Sequence, residues 1–185
     1  MSNAGGSRFV AFLGSINVGG HQATKEQLLA VFEALGHERV ETFIASGNVI
    51  FDAGEPSSPD SIAAAAERTL ERALGFATPV YLRTAAEVEV IAEAGPFDAG
   101  EIESCGGKPQ VMLLRESPSA VDRERALELS TLADRLAFGK RELHWLPEGR
   151  MTDSELDLRA LAKLIGPSTT RTLNTIQRIT TKLLT

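Results

Sequence analysis

Three short clusters rich in Asn, Gly, Ser and Thr are the places in this chain where polar groups could converge on a ligand. They are Ile16-Asn17-Val18-Gly19-Gly20, Ser46-Gly47-Asn48 and Thr170-Arg171-Thr172-Leu173-Asn174-Thr175. A glycine-rich loop between a strand and a helix offers backbone N–H groups and a positive helix end to an anion. Gly14 to Gly20 has that setting, including a Gly14-x4-Gly19 spacing, but Gly20-His21 stand where a nucleotide-hydrolysing loop needs Lys and Ser or Thr. Anion binding is the chemistry left to it; the plain alternative is a tight turn whose glycines admit positive φ. Ser46-Gly47-Asn48 suits a hairpin turn, and the Asn48 amide is the group there that could reach a ligand. Arg171 sits beside a helix start, where a guanidinium and N–H groups favour one anion together, while Asn174 reads as an N-cap. The ligand-binding candidates are Asn17, Gly19, Gly20, Ser46, Asn48, Arg171, Asn174 and Thr175. The Asn17–Gly20 loop and the Arg171–Thr175 segment are expected to lie close together around one anion.

No catalytic set or metal cluster stands beside these clusters. The three histidines, His21, His37 and His144, share no ligand spacing, and Cys105 is the one cysteine, which excludes an internal disulfide. His21 follows the glycine loop and could shuttle a proton, or be a solvated loop residue. Trp145 on a strand reads as core, with His144 on the opposite face. Aromatics make up 5% of the chain, too few for an RNA-stacking sheet, so nucleic acid is disfavoured as a partner. No cofactor is implied. Residues 1–100 carry 6 basic and 13 acidic groups, and residues 101–185 carry 13 and 12. After Asp157 there is no acid, while Arg159, Lys163, Arg171, Arg178 and Lys182 remain. That tract is either an anion-binding flank or a helix face paired with the acidic first half.

The positioning elements follow from periodicity. Phe9 to Leu13 is continuously apolar, as a strand buried on both faces requires. Thr24 to Gln27 is a capping box, and Leu28, Val31, Phe32 and Leu35 form the stripe of the helix it opens. Val40 to Ile44 and Val49 to Phe51 read as a hairpin, Asp60 as the cap of an alanine-rich helix, Pro79 to Leu82 as a strand, and Thr84 to Glu87 as a second capping box. The order then repeats. Val111 to Leu114 is a strand, Ser119 to Ser130 a helix, Leu136 to Phe138 and Leu143 to Leu146 strands around Gly139-Lys140-Arg141, and Thr152 to Glu155 a third capping box. Thr169 to Leu173 is a strand, and Asn174 opens the last helix. Asp60 and Thr152 are 92 positions apart, and Thr84 and Asn174 are 90 apart. The reading is α+β: two ferredoxin-like βαββαβ subdomains, each with an extra helix, related by internal duplication. Their expected extents are 8–100 and 101–185, with a linker around Glu101 to Lys108. Met1 to Ser7 reads as a tag or disordered tail.

The landmarks Ile16 to Gly20, Thr42 to Phe51, Gly95-Pro96-Phe97 and Arg171 to Thr175 resemble those of the bacterial family known as domain of unknown function 1697. The resemblance runs from Phe9 to Leu183. It implies two ferredoxin-like subdomains and carries no activity. That family usually has Arg-Gly before Ile-Asn-Val-Gly-Gly, where this chain has Gly14-Ser15. An anion site that relies on that arginine would lack it here.

No stretch approaches the roughly 20 apolar residues of a membrane span, and the chain reads as a soluble cytoplasmic protein, monomeric or homodimeric. Three functions fit: a small protein that binds an anionic, phosphate- or nucleotide-like ligand at the Gly, Asn and Arg loops, an enzyme using the same loops on a small metabolite, or a homodimeric interaction module without a small-molecule site.

Overall fold

A computed structural model describes residues 7–44, 47–54 and 58–184. It is an α+β protein with two four-stranded antiparallel sheets and, among the described residues, seven α-helices. The chain divides into two compact units, residues 1–88 and 89–185. Each has a strand order in which the first strand lies beside both the third and the fourth, the ferredoxin-like arrangement.

In the first unit, β1 (Arg8–Leu13), α1 (Lys25–Ala34), β2 (Glu38–Thr42), β3 (Asn48–Asp52), α2 (Pro59–Leu74) and β4 (Val80–Thr84) form the sheet β2-β3-β1-β4. β1 lies at the centre, antiparallel to β3 (Val10 opposite Ile50) and to β4 (Val10 opposite Arg83). Phe9, Ala11, Leu13, Val49, Phe51, Val80 and Leu82 pack with Leu28, Val31 and Phe32 of α1 and Ile62, Ala66 and Leu70 of α2. The alternate residues Val10, Phe12, Ile50, Tyr81 and Arg83 are buried as well, so β1 is apolar on both faces as its sequence requires. α1 has its capping box, with Gln27 N donating to Thr24 Oγ1 and Thr24 N to Gln27 Oε1. Thr84 and Glu87 make the second one. The cap of α2 lies two residues before the expected Asp60: Ser58 accepts from Ser61 N, and Pro59 takes the first helical position, where its missing N–H costs nothing. β2 begins at Glu38, which pairs with Asp52; Arg39 (φ +48) sits at an irregularity between Glu38 and Glu41, its guanidinium paired with the buried Asp52 carboxylate.

α3 (Ala85–Glu93) follows β4, and the division between units falls within it. The expected linker is instead α4 (Ala99–Cys105), opened by a capping box between Asp98 and Glu101 and closed by left-handed Gly106. A boundary at residue 100 would cut this helix. The second unit continues with β5 (Gln110–Leu114), α5 (Ala120–Glu128), β6 (Asp134–Phe138), β7 (Glu142–Pro147), α6 (Leu158–Ile165), β8 (Ser168–Thr172) and α7 (Leu173–Leu183). Its sheet, β6-β7-β5-β8, buries Met112, Leu114, Leu136, Leu143 and Trp145 against Ala126, Leu161 and Ile165.

Two expected caps are overturned in this unit. Thr152 to Glu155 is no capping box: Met151–Asp153 form a 3-10 turn, Ser154 donates to the buried Asp134 carboxylate, and Asp157 caps α6 through Ala160 N. Asn174 is an exposed second residue of α7, whose N-cap is Thr172, accepting from Thr175 N. Matching strands are offset by 102 positions at Arg8 and Gln110 and by 88 at Val80 and Ser168. The halves are similar and compatible with duplicated subdomains whose connections have diverged in length. Of the expected tail, residues 1–6 lie outside the described residues, and the Ser7 carbonyl accepts from Ala53 N. Among the described residues, no helix is long and apolar enough to cross a membrane.

Candidate functional site

The first two polar clusters meet at one end of the first sheet. Leu13 N donates to Gly47 O (2.7 Å), and Gly14 N to Pro79 O (2.8 Å). Ile16 is buried and anchors the loop to the core. Gly47 has φ +71, and a Cβ there would lie 3.2 Å from Leu13 Cβ and 3.4 Å from Ile16 Cβ, so the close approach of loop and hairpin needs glycine. Beyond Ile16 the loop turns tightly: Asn17 N donates to His21 O (2.7 Å) and His21 N to Val18 O (3.0 Å). Asn17, Gly19 and Gly20 are exposed, with φ of +59, +60 and +87. Asn48 is buried, and its Nδ2 donates to Phe43 O (3.0 Å). Ser46 lies outside the described residues.

Backbone strain gathers here. Among the described residues four non-glycines have left-handed backbones, and three of them, Ser15, Asn17 and Ile44, belong to this loop and hairpin. A β-branched residue such as Ile44 adopts that conformation only when its surroundings enforce it. The glycine loop does not run directly into α1, however. Residues 21–24 intervene, and the first turn is closed by its own box, so the helix end expected to face a ligand is already capped. His21 stacks on Phe76 at 4.2 Å with an interplanar angle of 6°, which gives its ring a packing role.

The third cluster belongs to the second unit. Arg171, expected to be a free guanidinium, donates through Nη1 to Thr169 Oγ1 and Thr170 O, both at 2.9 Å. Burial pushes its pKa down to about 10, because a desolvated cation is disfavoured. Thr175 is tied to Thr172 through its N–H and its hydroxyl, while Asn174 is exposed. Arg83 occupies the matching position in the first unit, opposite Val10 as Arg171 is opposite Val111, and it also donates to the preceding carbonyl (Leu82 O, 2.9 Å).

Sequence reasoning missed Glu142. It opens β7 opposite Leu113, as Asn48 opens β3 opposite Phe12. The Glu142 carboxylate is buried and accepts from Lys140 N and Arg141 N, both at 3.0 Å. A Cβ on Gly139 would overlap Glu142 Oε1, so the glycine makes room for the carboxylate. The signal was an acid three residues after a turn glycine. On the same face His144 is buried, its pKa lowered by desolvation and raised in part by Glu142. His37, in the first unit, is likewise lowered by burial. Among the described residues no group of His, Cys, Asp and Glu is placed to hold a metal.

The profile of the family described as "Protein of unknown function (DUF1697)" matches residues 7–144, which include the loop, the first hairpin and β1 to β6. The chain belongs to this family. A similar solved structure is that of the conserved bacterial protein SP0830 from Streptococcus pneumoniae, with a TM-score of 0.70 and 22% identity, covering 97% of this chain and 99% of that one. At that identity the likeness shows the fold. No curated protein matches the chain.

Proposed function

We propose that this protein binds a small anionic, phosphate- or nucleotide-like ligand where the 14–21 loop meets the β2–β3 hairpin. One observation carries the reading. At the equivalent end of the second sheet, two hairpin N–H groups are filled by the carboxylate of Glu142, whereas the first sheet places a neutral amide, Asn48, at that position. A hairpin end that holds an internal anion in one half offers a seat for an external one in the other. The strained Ser15, Asn17 and Ile44 support the same location, since strain of this kind is retained at binding sites. Asn17, Gly19, Gly20, Ser46 and Asn48 are the proposed contacts. Arg171, Asn174 and Thr175 form a second proposed element, in which an anion would stabilise the charge that burial disfavours. The cytoplasm, and descent of the two halves from one duplicated unit, complete the proposal.

The test is thermal stabilisation by phosphate and by nucleotides, since a ligand that binds only the native state raises its stability. The rise should weaken with salt. It should be lost in Asn48→Asp, which supplies an internal carboxylate, and reduced in Arg171→Ala. An unchanged melting temperature with every anion would reject the reading.

A further inference from the structure

Large apolar side chains are exposed where α5 ends, β6 begins and α6 begins in the second unit, on segments that meet at a buried carboxylate. Asp134 is 1% exposed, and its Oδ1 accepts from Trp145 Nε1 and from Ser154 Oγ, both at 2.7 Å. Its backbone is also fixed. Asp134 N donates to Thr131 Oγ1, and Asp134 O accepts from Thr131 N and Ser130 Oγ. Leu132 (92% exposed) lies within the loop so held. Leu127 (39%) is one turn before Ser130, Met151 (45%) lies three residues before Ser154, and Leu158 (46%) follows Ser154 through the Leu156 N to Ser154 Oγ bond. Single exposed apolar residues are ordinary; these four flank the segments that are hydrogen-bonded to Asp134.

Exposed acids outnumber exposed bases around them. Glu128, Glu148, Asp153, Glu155 and Asp157 are exposed acids, against the exposed bases Arg125, Arg150 and Arg159; Arg135 is paired with Glu101 at 2.6 Å. The edge of β6 is closed to an added strand, because Ser130 Oγ accepts from Leu136 N and Thr131 Oγ1 from Asp134 N. Recognition must then work through side chains.

We propose that this end docks a basic amphipathic segment of a partner protein, its apolar residues seated among Leu127, Leu132, Met151 and Leu158 and its Lys or Arg side chains on the acidic rim. The surface is separate from the anion site proposed above and does not depend on it. The fixed Asp134 anchor means that little ordering is lost on binding.

The probe is a synthetic amphipathic Leu/Lys peptide, with a Leu/Glu peptide of the same apolar pattern as control. Both are titrated into the full chain while the Leu and Met methyl NMR signals are followed. The expected result is saturable shifts at Leu127, Leu132, Met151 and Leu158 with the basic peptide alone, weakened by salt. They should be reduced at least tenfold in affinity by Leu132→Asp and, separately, by Glu148→Lys with Glu155→Lys. All these positions are exposed, so the variants retain the fold. Equal response to both peptides, shifts away from these methyls, or binding unchanged in Leu132→Asp would overturn the proposal. Concentration-dependent dimerisation abolished by Leu132→Asp would assign the surface to a second copy instead and overturn it equally.

Discussion

The two halves share a strand order but close the same end of their sheets differently. After β1 the first unit spends eleven residues (14–24) before its helix, with left-handed Ser15 and Asn17 and an exposed turn at Gly19-Gly20. After β5 the second unit spends five (115–119), and Ser119 caps the next helix directly through Asp122 N. At the adjoining hairpins, Asn48 donates to a carbonyl while Glu142 accepts from two N–H groups. The second unit thus carries a buried carboxylate where the first is longer, strained and neutral. A longer loop costs chain entropy, and left-handed non-glycine residues add strain. The Asn17–Gly20 turn is exposed between buried Ile16 and His21, which stacks on Phe76.

The largest expected effect tests whether the second unit is a packed fold in its own right. Leu161 is fully buried between α6 and the sheet, so Leu161→Ala should cost about 2–5 kcal/mol in chemical denaturation. A loss below about 0.5 kcal/mol would place the stripe on the surface and undo the pairing of the halves.

Next comes the hairpin contrast. Glu142→Gln removes a buried charge from two N–H groups and should cost about 1.5–3 kcal/mol, whereas Asn48→Ala removes one neutral bond and should cost about 0.5–1.5 kcal/mol. Equal losses would break the contrast. Glu142→Gln has a second consequence. His144 is held below its ordinary 6.5 by burial, with Glu142 opposing that shift. The folded ring resists protonation that the unfolded chain accepts, so stability is lost as the pH falls below 6.5 towards the folded value. In Glu142→Gln the folded pKa should fall further, and the acid-induced loss should extend to lower pH. Imidazole NMR titration and denaturation as a function of pH check this; a His144 pKa that rises would contradict it.

The smallest effects concern the helix starts. Thr84→Ala and Thr172→Ala should each cost about 1 kcal/mol, since both are N-caps at matching strand ends. Asn174→Ala should change stability by less than about 0.5 kcal/mol, because its exposed side chain caps nothing.

Much of the fold was legible because periodicity and capping are local. The β1 run, the α1 stripe and the boxes at Thr24 and Thr84 stand as read, since each rests on residues close together in the chain. Misreadings came where a distant group intervened or where two polar residues competed. Ser154, expected inside a capping box, is taken by Asp134 from β6, twenty residues away, so α6 starts later at Asp157. Thr172 and Asn174 are both good caps, and the register of β8 against β5, with Thr172 opposite Gln110, leaves Thr172 at the junction. α4 was overlooked although Asp98-x-x-Glu101 and Gly106 mark its two ends. The meeting of the Gly19 loop with Gly47 was not readable, because it depends on which strands pair. Nor was the Glu142 carboxylate, whose role appears only once the hairpin has turned its N–H groups towards it.

The most direct test is an amide NMR titration of the full chain with inorganic phosphate, run in parallel on Asn48→Asp. The expected result is saturable shifts at Asn17, Gly19, Gly20, Gly47 and Asn48 in the parent, absent in Asn48→Asp, with the Lys140 and Arg141 amides unmoved in both because Glu142 already occupies them. Shifts at Lys140 and Arg141, or no saturable shift at the Asn17–Gly20 loop, would contradict it.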